Sequence, residues 1–249
     1  VSGYLIKPIN SLNLTKAIHK AIEAIKTQPT DEVRQLMRHE LYDDEINSYF
    51  CPIKSGDIFV KGDKKFILLS QPCDLMIRSD GIRRPDGFSC FTNLVEIKDR
   101  AADEPSASSK LDYFVECELY VHHSKAHKIE LSILDLCTFN DEGEAKIDLK
   151  IETFNHKMEG VKNRYEKVVK QFKKIFTLFE TPNHSKNIAK QLFAPHGKGV
   201  LNLNVDKDNK IIDFGLKRIS RLSKTEAQVI LEDFLRHKGR PASEVNFTA

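Results

Sequence analysis

The sequence predicts an α+β protein, a mainly antiparallel sheet or partly open barrel with flanking helices, spanning residues 51–249. Three observations lead there. Short apolar runs are joined by tight-turn signals, as where Ile58-Phe59-Val60 meets Gly62-Asp63 and returns as Phe66–Leu69. Two longer stretches, Met158–Phe179 and the segment after Ser223, instead space their apolar residues three and four apart, which makes one stripe on a helix. Apolar residues are 40% and charged residues 30% of the chain, a globular balance. No run approaches the roughly 18 apolar residues of a membrane helix, and the start lacks a signal-peptide layout. A folded cytoplasmic protein with no membrane partner is expected.

The first element is a short apolar run, Tyr4-Leu5-Ile6, that stops at Lys7-Pro8, where proline cannot donate to a ladder. An amphipathic helix follows, with Leu14, Ala17, Ile18, Ala21, Ile22 and Ile25 on one side. This strand, Lys-Pro turn and helix over residues 2–26 resembles the end of a response-regulator receiver domain from bacterial two-component systems. The resemblance covers about a tenth of the chain. It implies that Lys7 senses a phosphoryl group on an aspartate, that the Lys7-Pro8 bond is cis, and that a histidine kinase acts upstream. The phosphoacceptor, the acidic metal-binding pair and four of the five strands of such a domain would lie before Val1, so residues 1–26 are expected to be its C-terminal remnant.

Residues 27–50 are expected to form a linker helix from about Thr30 to Tyr49, capped by Thr30, with Asp31 and Glu32 at the positive end of its dipole. Its position suits it to carry a receiver's change of state onward. Beyond the Gly62-Asp63 hairpin, strands are expected at Phe88–Thr92, Tyr113–Val121, Lys128–Phe139 and Ala145–Ile151, the last two joined by Asn140-Asp141-Glu142-Gly143. Asp99–Lys110 reads as an exposed loop. In Lys128–Phe139 the alternation changes phase, which predicts a bulge near Ile133. Leu201, Leu203 and Val205 alternate into a turn at Asp206–Asn209 and a strand through Ile212, Phe214 and Leu216. Ser223-Lys-Thr-Glu226 is a capping box that opens a last helix ending before Gly239.

Three chemical readings follow from side chains. Gln71-Pro72-Cys73-Asp74 ends a hydrophobic strand, so Cys73, with Asp74 beside it, is the candidate nucleophile of a cysteine-dependent enzyme if His122, His123 or His127 approaches. The plainer reading has Cys73 filling a small apolar space and Asp74 capping a turn. The same histidines, even joined by a carboxylate such as Asp135 or Glu118, match no metal spacing and read as a solvated turn; the five cysteines read as buried reduced thiols, and neither metal nor cofactor is expected. Basic residues cluster on the Met158–Phe179 helix, including Lys170 and Lys174, and in the C-terminal segment, including Arg218, Arg221, Arg236 and Arg240. Either set could track a phosphate backbone, although acidic neighbours dilute both and no helix-turn-helix accompanies them.

The Gly56–Phe59 hairpin running into Leu68-Leu69-Ser70 is also similar to the start of the SH3-like barrel of PemK toxin ribonucleases, which implies RNA cleavage by charged residues such as Arg78, Arg83 and Arg84. The leading expectation is an output module that works by regulated binding of a protein partner or nucleic acid, ahead of an enzymatic role. The alternatives are a nucleic-acid-binding or RNA-cleaving module and the Cys73 enzyme. A homodimer is a further option, by analogy alone with signalling modules that pair.

Overall fold

The computed structural model describes residues 42–48, 50–83, 90–99, 108–110, 119–180 and 200–239. Within them one open sheet of nine strands, all paired antiparallel, comprises β1 (Tyr42–Asp43), β2 (Asp57–Lys61), β3 (Lys64–Leu69), β4 (Phe91–Asp99), β5 (Ser108–Lys110), β6 (Leu119–Glu130), β7 (Glu144–Asp148), β8 (Asn204–Asp206) and β9 (Ile211–Leu222). The order is β1-β9-β2-β3-β4-β6-β5, and β7 and β8 also pair with β9. Four helices complete the described residues: α1 (Pro72–Leu75), α2 (Leu131–Leu136), α3 (Glu159–Glu180) and α4 (Lys224–Gly239). The α+β class expected from the sequence is therefore present. None of these helices is long and apolar enough to cross a membrane.

Successive residues of a strand point to opposite faces, and here both faces are covered. Phe59, Phe66, Leu68, Leu94, Phe214 and Leu216 join one core with α2 and α3. Ile58, Ile67, Leu69, Val95, Ile97 and Leu222 join a second core with Ala227, Ile230, Leu231 and Phe234 of α4. Double coverage explains why Phe66-Ile67-Leu68-Leu69 is an unbroken apolar run, with each residue at 1% exposure or less. A sheet with one wet face would have alternated. The Met158–Phe179 stripe is realised on α3, where Val161, Tyr165, Val168, Phe172 and Ile175 are buried. Ser223 starts α4 as expected, accepting from the Glu226 amide at 3.4 Å.

Three expectations are corrected. The linker helix does not run to Tyr49. Tyr42 and Asp43 pair with Leu222 and Arg221, and the chain then turns, with Asp43 Oδ1 accepting from the Glu45 amide at 3.2 Å and Ser48 Oγ donating to the Glu45 carbonyl at 2.7 Å. Such local side-chain bonds compete with helix. The sheet unit thus includes Tyr42, nine residues before the expected boundary at residue 51; residues 1–41, with the receiver-like motif, Lys7 and the start of the linker, lie outside the described residues.

The second correction concerns Lys128–Phe139, where there is no bulge near Ile133. Strand β6 ends at Glu130 and helix α2 begins, so the phase change marks a switch from a two-residue to a 3.6-residue period. All six residues of α2 are buried, which hides any amphipathic stripe. The third concerns the histidines, which do not lie in a solvated turn between strands. β6 is continuous through them, with a bulge where Val95 and Ile97 of β4 face Ala126 and Val121, and His122 and His123 are buried. Strand bounds also shift: β4 runs on to Asp99, β5 occupies Ser108–Lys110 of the expected loop, and β7 ends at Asp148. Positions 84–89, 100–107 and 111–118 lie outside the described residues.

Ile67, buried in the second core, is expected to lose about 2–5 kcal/mol of stability on replacement by alanine. Exposed Lys65 on the same strand should change by no more than about 0.5 kcal/mol. Urea unfolding of the two variants checks the pair; equal losses would mean that β3 is not covered as described.

Candidate functional site

The pairing registers place the start of β2, the end of β3, the start of β4, the end of β6 and the end of β9 at one end of the sheet. Two buried carboxylates organise that end, each between two arginines. Asp135, on α2, accepts at Oδ2 from Arg83 Nη1 at 2.6 Å and from Arg164 Nε at 2.8 Å and Nη2 at 2.6 Å. Arg83 also donates from Nε to the Leu75 carbonyl at 2.9 Å, so it ties the end of α1 to α2. Arg164 stands in the second turn of α3. The segment between Leu75 and Arg83 is thereby clamped to two helices that are far from it in sequence.

Gly81 completes this contact. It has φ +75°, a conformation that favours glycine, and a β-carbon there would stand 2.5 Å from the backbone nitrogen of Arg164. Only a residue without a side chain lets the segment lie this close to α3.

Asp57, at the start of β2, plays the same part for the preceding segment. It pairs with Arg218 Nη1 at 3.5 Å and with Arg221 through Nε and through Nη2 at 3.2 Å. Arg221 further donates to the Pro52 carbonyl at 2.6 Å and to Cys51 Sγ at 2.7 Å. Arg218 donates to the Cys51 carbonyl at 2.7 Å and to Asn47 Oδ1 at 2.9 Å. Asn47, Cys51 and Pro52 are therefore held against β9 by two guanidinium groups.

Beside Asp135 lies Glu130, fully buried at the β6–α2 junction. Burial pushes its carboxyl up to about 8, against the pull of Ser132 and Arg164 in the other direction. Desolvation outweighs the nearby cation, so the group is mostly neutral at pH 7.

The clamped segments enclose an open cleft of about 820 Å³. Pro52–Ser55 form one side, Pro72 and Leu75–Ser79 another, and the first residues of α3 and α4 close it. Its lining is mainly apolar, including Ile53, Leu75, Ile77 and Val161, and its mouth carries Met76 and Met158 at 60% and 63% exposure. Three cations, Lys54, Arg78 and Lys224, and one anion, Glu159, line it as well. A volume in this range suits a ligand's apolar body or a few partner side chains.

Most of the residues singled out by sequence lie elsewhere. Cys73 and Asp74 sit on α1, but Pro72 and Leu75 are the α1 residues that line the cleft. Cys73 is exposed, and its sulfur contacts Gln71 Oε1 at 3.6 Å and Asp74 Oδ1 at 3.7 Å, so it does not fill an apolar space. The histidines meet other groups: His127 packs edge-on to Phe66 at 5.8 Å, and His123 meets Phe234 at 5.9 Å and His237 at 5.8 Å. Burial pushes His122 below the usual histidine range. No metal-binding group of His, Cys, Asp or Glu exists among the described residues. Of the four described cysteines only Cys137 is fully buried, with its thiol pushed up to about 12 by burial.

The basic set divides. Arg218 is 1% exposed and Arg221 is committed to Asp57, so neither is free to follow a phosphate backbone. Arg236 is exposed and paired with Glu232 and Asp233. Lys170 and Lys174 stand exposed on α3 without an ion pair among the described residues. Arg83 is buried against Asp135, Arg78 lines the cleft, and Arg84 and Arg240 lie outside the described residues.

Asp57, Arg164 and Glu130 were not singled out by sequence, and Asp135 was weighed only as a metal ligand beside the histidines. Asp135 carried a signal nonetheless, as the single charge in the run Leu131–Cys137, where a buried ion demands a partner. Comparison with protein-family models, curated proteins and solved structures finds no match.

Because Glu130 holds its proton in the folded state to about pH 8 but releases it near 4.5 when unfolded, its contribution opposes folding increasingly between those values. Glu130→Gln removes that dependence. Relative to the parent, the variant should gain on the order of 3 kcal/mol between pH 5 and pH 8. Urea titrations at the two pH values measure it, and a constant difference would show that Glu130 does not titrate in this window.

Proposed function

We propose that this chain is the downstream part of a response-regulator-like signalling protein and that its α+β unit acts by binding a protein partner in the cleft. The observation that carries the binding half is the cleft itself. Its apolar lining meets solvent at Met76, Met158 and the half-buried Ile77, above a floor of buried Ile53, Leu75 and Val161, and it is held by buried ion clusters and so needs little reordering on association. Methionines at its mouth supply a surface that adapts to a partner. What supports the signalling half is the resemblance of Gly3-Tyr4-Leu5-Ile6-Lys7-Pro8 and its helix to a receiver end, with Lys7 as the phosphoryl-sensing residue.

A route for control follows from connectivity. The chain preceding Tyr42 enters the sheet through β1, which pairs with Arg221 and Leu222, and Arg221 holds the Pro52 carbonyl on the cleft's edge. Strain on β1 would reach the cleft through two residues. A histidine kinase would supply the phosphoryl group, and the protein would work in the cytoplasm.

The test uses the apolar dye N-phenyl-1-naphthylamine, whose fluorescence rises in apolar surroundings. The chain should bind it, and Met158→Glu, at an exposed position, should weaken binding at least about tenfold without lowering the melting temperature. For control, a chain that carries a complete receiver domain ahead of residue 27 should change its dye affinity severalfold when beryllofluoride mimics phosphorylation. Unchanged affinity would remove gating, and binding indifferent to Met158→Glu would remove the cleft.

A further inference from the structure

From the charge around the cleft we infer that its partner is an acidic, apolar protein segment. This deepens the reading of the cleft as a docking site and rests on it. The argument starts from how the molecule spends its ionic pairs. Arg83, Arg164, Arg218 and Arg221 are each bound to a carboxylate. At the cleft, by contrast, Lys54, Arg78 and Lys224 have no ion-pair partner among the described residues. They come from three separate elements: the segment before β2, the segment after α1 and the first turn of α4. Their one acidic neighbour in the lining, Glu159, is within 3.6 Å of Lys162.

Two helices also begin at this cleft, α3 at Glu159 and α4 at Lys224, so the positive ends of both dipoles lie beside it. Among the described residues that line the cleft, every unmatched charge has one sign. A segment whose apolar side chains enter the interior while its carboxylates meet the rim satisfies both features at once. A basic segment would set like charges against Lys54, Arg78 and Lys224 as its apolar groups docked. That argues against self-docking by residues 14–26, which carry Lys16, Lys20 and Lys26 among their apolar residues.

Nucleic acid fits less well. Its phosphates suit the rim, but no aromatic ring is present among the described residues lining the interior, so bases would find no stacking partner there. Rim contacts of this kind are individually weak, a few tenths to about 1 kcal/mol each, and three of them acting together amount to about tenfold in affinity.

Two short fluorescein-labelled amphipathic peptides with the same leucine spacing test the inference, one carrying glutamate and the other lysine at every polar position. Anisotropy at low salt should show the glutamate peptide binding at least about tenfold more tightly, with the gap closing as salt screens the rim. Replacing Lys54, Arg78 and Lys224 together by glutamine should bring the two peptides within about threefold of each other while the melting temperature holds. Met158→Glu should weaken the glutamate peptide.

Equal affinities, a preference for the lysine peptide, or a discrimination that survives the triple replacement overturns the inference. So does tighter binding of a single-stranded oligonucleotide than of the glutamate peptide. The dye separates the two levels. If N-phenyl-1-naphthylamine fails to bind, the cleft is not a docking site; if it binds and the peptides do not differ, only the charge assignment fails.

Discussion

The structure depends on one constraint, a carboxylate on a fully buried helix that must be matched where water cannot reach it. Asp135 meets that demand with Arg83 and Arg164, which approach from elements 52 and 29 residues away in the chain. Removing such ions from water costs several kcal/mol each, and their attraction offsets that cost only when the geometry is held. The cluster is therefore better understood as fixing positions than as adding stability. What it fixes is the segment between Leu75 and Arg83 against the start of α3, and with it two walls of the cleft. Asp57, with Arg218 and Arg221, repeats the device for Cys51 and Pro52 and the third wall.

This arrangement separates two uses of charge. Arginines that are buried are paired and act as struts, while the cations around the cleft are left to solvent. Glu130 shows how steep the boundary is: even with Ser132 and Arg164 beside it, burial keeps its carboxyl mostly protonated at neutral pH. A cleft shaped by struts of this kind is present before any partner arrives. That is why a binding role accounts for more of the described structure than Cys73 chemistry does, since the cysteine is exposed on α1 with only Gln71 and Asp74 at its sulfur among the described residues.

The local elements were legible where one periodicity acts without competition. The Gly62-Asp63 hairpin, the α3 stripe and the Ser223 cap all follow from spacing and turn chemistry. Legibility failed where burial is complete. Leu131–Leu136 is apolar except at Ser132 and Asp135 and is buried on every side, so no period distinguishes helix from strand, and the switch at Glu130 looked like a bulge. At Tyr42 the outcome depended on pairing with Leu222, 180 residues away, which no local pattern contains. The site was harder still. Arg218 and Arg221 resemble surface cations in sequence, and only the approach of Asp57 from β2 makes them internal. Arg78 was noticed through its neighbours, but that it shares a rim with Lys54 and Lys224 is a property of the fold.

The claim that Asp135 shapes the cleft is tested most directly by hydrogen–deuterium exchange on Asp135→Asn. Loss of the clamp should leave β3 and β4 protected and should raise exchange at least about tenfold at residues 76–83 and in the first two turns of α3. Unchanged protection in those segments, or an equal loss spread over the whole sheet, would contradict it.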